Sequence, residues 1–250
     1  MQVNCTQCGG LIEVGEGELF LTCPFCSSAI YVDKRKVVFH YVLASTLDQE
    51  EAQKALRRWM AGNETVKGLE EKSRVTAIEF YYFPIWYFKV RKGGEERVMT
   101  ELAASTPIVE LKDIRIPAGD LKFYEPNKFE GQTFREPEML YDAALAWLKK
   151  GGASPEDVVE AALVHIPIYQ VKYEFNGGSY SAAVEGSSGK VYATVFPAKA
   201  EAPFYAVAAV AFVLFLGEGL LIESLGTKLL AYALTAVPLI LAATFISERV

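Results

Sequence analysis

Residues 5–26 read Cys5-Thr6-Gln7-Cys8-Gly9-Gly10-Leu11-Ile12-Glu13-Val14-Gly15-Glu16-Gly17-Glu18-Leu19-Phe20-Leu21-Thr22-Cys23-Pro24-Phe25-Cys26. The four cysteines are the only ones in the 250-residue chain. Two thiolates three positions apart on a tight turn can reach one ion. Two such turns face to face supply the tetrahedral sulfur cage of a closed, structural Zn²⁺ site. Gly9-Gly10 and Pro24 suit the turns. Leu11-Ile12-Glu13-Val14 and Leu19-Phe20-Leu21 read as short strands around a Gly15-Glu16-Gly17 turn. A four-thiolate site has no open coordination position, so its metal should hold structure and do no chemistry. A unit this small has too little core to fold alone, and the ion supplies much of its folding energy. Rubredoxin-like iron takes the same sulfur geometry. A pair of disulfides would need an oxidising compartment.

Through Tyr31-Val32 this stretch resembles the zinc-ribbon family found in transcription-initiation factors and replication-restart helicases. The resemblance implies one structural zinc on Cys5, Cys8, Cys23 and Cys26, and a module that binds nucleic acid or protein. Charge weighs against nucleic acid. Residues 1–40 hold four acidic groups (Glu13, Glu16, Glu18, Asp33) against Lys34, Arg35 and Lys36, and the whole chain carries −6. Phosphate binding runs on a basic face, so Lys34-Arg35-Lys36 reads as a solvated connector. Met1-Gln2-Val3-Asn4 carries neither a basic segment nor an apolar run, so no secretory signal is expected there. Reduced cysteines then suggest a cytoplasmic face.

Outward from the ribbon (residues 1–36), Val37 to Leu43 is β-branched and aromatic and predicts a strand. Thr46 and Gln49 fit a capping box. Ala52, Ala55, Leu56, Trp59 and Met60 make one apolar helix face that stops at Gly62-Asn63. An aromatic strand follows over Val75 to Val90, turns at Gly93-Gly94 and returns over Arg97 to Leu102. The stretch 107–135 is strand-like but broken by Pro107, Pro117-Ala118-Gly119 and Pro126-Asn127. Pro137 is preorganised for a first helical turn, and Leu140, Ala143, Ala144, Trp147 and Leu148 form a second apolar face ending at Gly151-Gly152. Ile166 to Tyr173, the Asn176-Gly177-Gly178 turn and Ser179 to Val184 read as a hairpin.

The two passages look alike. Trp59 matches Trp147, Phe83-Pro84-Ile85-Trp86 matches Ile166-Pro167-Ile168-Tyr169, and Gly94 matches Gly177. The pattern predicts a duplicated helix-plus-β-hairpin unit, about 45–105 and 133–197, within an α+β domain spanning 37–200. The two hairpins would join into one antiparallel sheet with helices on one face.

From residue 201 the composition changes. Segments 203–222 and 229–246 are apolar and long enough to cross a bilayer core of about 30 Å, with a polar turn from Glu223 to Lys228 between them. They predict a transmembrane helical hairpin with both termini cytoplasmic. Lys199 and Arg249 on that side against Lys228 in the turn give a weak positive-inside bias. Glu218 interrupts the first span. An intramembrane carboxylate is a functional candidate, although pairing with Lys228 near the headgroups would account for it.

Catalytic sets are missing. His40 and His165 sit in apolar runs that suit structural histidines. Gly186-Ser187-Ser188-Gly189-Lys190 lacks the first glycine and the final Ser/Thr of a phosphate loop. Trp86, Tyr87 and Tyr169 suit either sheet core or a partner-binding face. Together these features predict no enzymatic reaction. They predict a cell-membrane adaptor or scaffold that assembles a protein partner, with the lipid bilayer around its tail; a homo-oligomer fits the same composition. Two alternatives remain: a membrane-tethered nucleic-acid-binding ribbon, and an accessory subunit of a membrane enzyme or transporter that uses Glu218.

Overall fold

The computed structural model describes all residues except 16, 34, 35, 115, 117–120, 200, 201 and 250, and the side chains of 36, 126, 202 and 247–249 are likewise left aside. The ribbon-turn residue Glu16, the Lys34-Arg35 pair, Pro117-Ala118-Gly119 and the side chains of Lys36 and Arg249 therefore lie outside the described residues. The chain is a mixed α+β protein with two apolar C-terminal helices. Its strands are β1 (Gln2–Asn4), β2 (Leu11–Glu13), β3 (Phe20–Thr22), β4 (Ala29–Asp33), β5 (Lys36–Leu43), β6 (Arg74–Lys92), β7 (Glu95–Leu102), β8 (Leu121–Phe123), β9 (Val158–Phe175), β10 (Gly178–Glu185) and β11 (Val191–Tyr192). Its helices are α1 (Gln49–Met60), α2 (Leu69–Lys72), α3 (Tyr141–Lys150), α4 (Ala202–Leu221) and α5 (Leu225–Arg249). It divides into two compact units: Met1–Arg57 with Ser73–Phe196, and Arg58–Lys72 with Pro197–Val250.

The first unit is built on β6 and β9, which pair antiparallel along almost their whole length. Tyr81 to Phe88 and Ala162 to Tyr169 are buried on both faces, so side chains alternate between two cores. One core sets Tyr81, Phe83, Ile85 and Tyr87 against Val164, Ile166 and Ile168, and Ile108, Leu111 and Ile114 of an irregular stretch cover them. The other sets Trp86, Phe88, Val90 and Leu163 against Ala144 and Leu148 of α3. Burying each such side chain contributes about 1.5–3 kcal/mol.

β7 and β10 fold back on opposite ends of the central pair. The turns follow local chemistry. Asn176 (φ 48°) and Gly177 (φ 79°) both take the left-handed region that a two-residue hairpin loop requires. The remaining edges are filled crosswise. β5 runs parallel to β9, and residues 133–135 bond to Tyr82 of β6 through Tyr82 N–H to Thr133 O and Arg135 N–H to Tyr82 O. The sheet is therefore mixed, which corrects the expectation of a purely antiparallel one. β5 also pairs antiparallel with β4, and β4 with β3, so the strands that flank the second cysteine turn continue directly into the sheet.

Two helix starts differ from expectation. The capping box of α1 is Asp48 with Glu51, each side chain accepting the other's backbone N–H at 2.8 and 2.9 Å. Thr46 instead donates to Ser187 O. α3 begins at Tyr141, whose N–H is accepted by Asp33 Oδ2 at 2.7 Å, a cap supplied by the end of β4. The helix buries Ala144 and Leu148, with Tyr141 and Leu145 packed beside them, while Leu140 and Trp147 are exposed.

In the second unit, Thr65 pairs with Ala198 in an isolated bridge. Helices α4 and α5 follow. They contain spans of 19 and 22 residues, Pro203–Leu221 and Leu225–Ile246, long and apolar enough to cross a membrane. The turn between them is shorter than expected. α5 starts at Leu225 because Ser224 O accepts both the Lys228 N–H and the Thr227 hydroxyl.

Candidate metal centre

The two cysteine turns are built alike. Cys5 N–H donates to Gly10 O and Gly9 N–H to Cys5 O; Cys23 N–H donates to Ser28 O and Ser27 N–H to Cys23 O, each at 2.9 Å. This loop needs a left-handed residue four places after its first cysteine. Gly9 (φ 71°) and Ser27 (φ 61°) fill that place. Gly10 lies beneath the exposed Phe25 ring: a β-carbon there would lie 2.5 Å from Phe25 Cδ2, so the ring would have to shift. Val3, Ile12, Val14, Ile30 and Val32 form the small core beneath, with Cys5 and Cys23 buried among them.

All four sulfurs lie within 4.8 Å of one another. Cys5 Sγ to Cys26 Sγ and Cys8 Sγ to Cys23 Sγ are both 3.7 Å. A tetrahedron with metal–sulfur bonds of about 2.3 Å has edges of about 3.8 Å. Disulfide sulfurs would stand about 2.05 Å apart. The cage thus has the dimensions of a four-thiolate site and can hold a metal ion. Ser28 Oγ lies 3.3 Å from Cys26 Sγ. Its hydroxyl, and then its backbone N–H, hold the Cys26 thiol down to about 6, whereas burial foremost pushes Cys5 up. An ion entering the cage must therefore displace protons from the thiols that remain protonated.

Comparison with family models, with curated proteins and with solved structures finds no match. The sulfur geometry alone therefore carries the metal-binding statement.

The other predicted positions fall elsewhere. Trp86 and Tyr87 are core residues, 0% and 6% exposed; Trp86 Nε1 donates to Met139 O at 2.9 Å. Tyr169 is buried too, its hydroxyl donating to Leu47 O at 2.8 Å. Glu218 is half-buried against α5, where Thr235 Oγ1 donates to its carboxylate at 3.2 Å. Lys228 bonds Gly219 O instead of Glu218, so the expected ion pair is absent among the described residues. The glycine- and serine-rich loop at 186–189 is closed to phosphate. Buried Glu185 already accepts the Ser187 and Ser188 N–H groups at 2.6 and 2.8 Å.

One constellation escaped sequence reasoning. His40 and His165, both buried, meet each other inside a shell of Phe20, Tyr124 and Phe134. Nothing in their local sequence signals the contact, because β5 reaches β9 only through the parallel pairing.

Proposed function

We propose that the protein is a membrane-anchored zinc-ribbon adaptor. Its cage takes one structural Zn²⁺, the ribbon strands present the cysteine turns, and α4 and α5 hold the chain in a bilayer with the preceding residues on the cytoplasmic side. The observation that carries this reading is the pairing of a four-sulfur cage with two spans of which none of the apolar length is buried by protein. Thiols kept reduced for a metal belong in a reducing compartment, which supports the orientation.

We also read the sheet unit as a duplication. Phe83 and Ile166, matched by sequence, face each other at the middle of the β6–β9 pairing. Ala103 N–H to Pro84 O recurs as Gly186 N–H to Pro167 O. Trp86 to Met139 O recurs as Tyr169 to Leu47 O. Ala52 and Leu56 of α1 are buried as Ala144 and Leu148 of α3 are. This aligns Leu56 with Leu148 and replaces the match of Trp59 with Trp147.

Crosslinking with mass spectrometry on native membranes tests the adaptor role, alongside carbonate extraction and elemental analysis. The expected result is a carbonate-resistant chain with about one zinc per molecule, crosslinked to a distinct protein. Release by carbonate would remove the anchor, a metal-free reduced chain would remove the ribbon, and a chain crosslinked to nothing would remove the adaptor role.

A further inference from the structure

The second unit carries a cleft of about 270 Å³ beside the start of α4. Its walls come from the loop after α1 and from the strand-like segment that leads into the first span. Two backbone hydrogen bonds tie these together: Val66 N–H to Pro197 O at 2.9 Å and Lys199 N–H to Glu64 O at 3.0 Å. Thr65 anchors the loop from inside. It is 1% exposed, and its hydroxyl donates to Met60 O at 2.6 Å.

The lining is polar. Asn63, Lys67 and Lys199 bring donors to it, with Glu70 as the one carboxylate among the described lining residues. Lys67 is exposed and Lys199 half-buried, and neither forms an ion pair among the described residues. Arg58 and Trp59 precede the cleft on the last turn of α1. Cations and tryptophan side by side are the residues that collect at a lipid–water interface.

Chain length fixes where this cleft sits. Lys199 is three residues before Ala202, the first residue of α4. Three residues span at most about 11 Å, so a bilayer entered by α4 has its headgroup layer within reach of the Lys199 ammonium. Two lysines lining a small polar cleft at that depth match a phosphate with negative charge, held at the end of a lipid.

We propose that this cleft binds the phosphate headgroup of an anionic phospholipid, with Lys67 and Lys199 as its cationic contacts. The site would fix the approach of the cytoplasmic segment to the bilayer and favour anionic membrane regions. It rests on α4 and α5 being membrane spans, so the test uses detergent, where the cleft can be measured whether or not those helices insert.

Full-length protein in neutral detergent is titrated with dihexanoyl phosphatidic acid, dihexanoyl phosphatidylcholine and inorganic phosphate, with binding followed by calorimetry. Phosphatidic acid should bind at least about tenfold more tightly than the other two. The double variant Lys67→Gln/Lys199→Gln should lose that preference by about tenfold or more, and Lys67→Arg/Lys199→Arg should keep most of it. Thermal unfolding checks that each variant is folded. Unchanged phosphatidic acid affinity in the folded glutamine variant overturns the proposal. Inorganic phosphate binding as tightly as the lipid overturns the lipid as the source of the anion.

Discussion

His40 Nε2 lies 2.8 Å from His165 Nδ1, across 125 residues of sequence. His165 Nε2 sits 2.9 Å from Arg135 O. A carbonyl can only accept, so Nε2 of His165 carries its proton and Nδ1 accepts from His40 Nε2–H. That leaves His40 Nδ1 a buried lone pair without a partner among the described residues. Both rings are neutral. Burial pushes His165 down to about 4, and burial followed by the His165 neighbour pushes His40 well below its ordinary value.

The sign of the pH effect follows. The unfolded chain takes up these protons near pH 6.5, whereas the folded chain takes up the His165 proton only near 4 and the His40 proton only well below its ordinary range. Stability is therefore complete above about 6.5 and declines as pH falls towards 4, by about 3 kcal/mol for His165 alone. Urea unfolding at pH 7, 5.5 and 4.5 measures this. His165→Phe should flatten the slope, and an unchanged slope would count against the paired neutral rings.

Metal loss should unfold the ribbon and spare the sheet. Cys23→Ser removes a buried ligand, so bound metal should fall at least about tenfold, because the cage closes only with four sulfurs. Hydrogen exchange should then show protection lost across β1 and β2 and retained across β6 and β9. Equal loss in both would mean the ion supports the whole unit.

The matched cysteine turns predict opposite effects of two small substitutions. Ser27→Gly relieves a left-handed residue bearing a side chain and should stabilise the metal-bound ribbon by up to about 1 kcal/mol. Gly9→Ala should weaken it by about 1 kcal/mol. A β-carbon at Gly9 meets nothing within 4 Å, so its cost is conformational. Chelator-induced metal release rates provide the comparison.

Asp33→Ala should cost about 1–2 kcal/mol, since it uncaps α3 from a distance. Asp33→Asn retains an oxygen acceptor and should recover part of that loss. Thermal unfolding of the two variants tests whether the side-chain oxygen is the element that matters.

What could be read in advance was local. Cys5, Cys8, Cys23 and Cys26 announce their cage because turn geometry depends on spacing alone. The two C-terminal apolar helices announce themselves by length and hydropathy, the first despite Glu218. The aromatic runs around Phe83 and Ile166 read correctly as strands. The first half of β9 did not, because Val158 to His165 includes Glu160-Ala161-Ala162, which has weak strand preference and forms a strand through pairing with β6. The histidine pair, the Asp33 cap and the parallel β5 contact are all tertiary. Each joins residues more than a hundred positions apart, and no pattern within either partner encodes the other.

The crosswise edges have a consequence for how the molecule is made. β5 must wait for β9 to be synthesised before it can dock, and β6 must wait both for β9 and for residues 133–135. Early translation products therefore expose an apolar, unpaired strand edge on both β5 and β6 until about residue 175 has emerged, a topology of slow closure. Cleavage in the connection between β7 and β8 should yield two fragments that each lack the β6–β9 sheet alone and regain it when mixed.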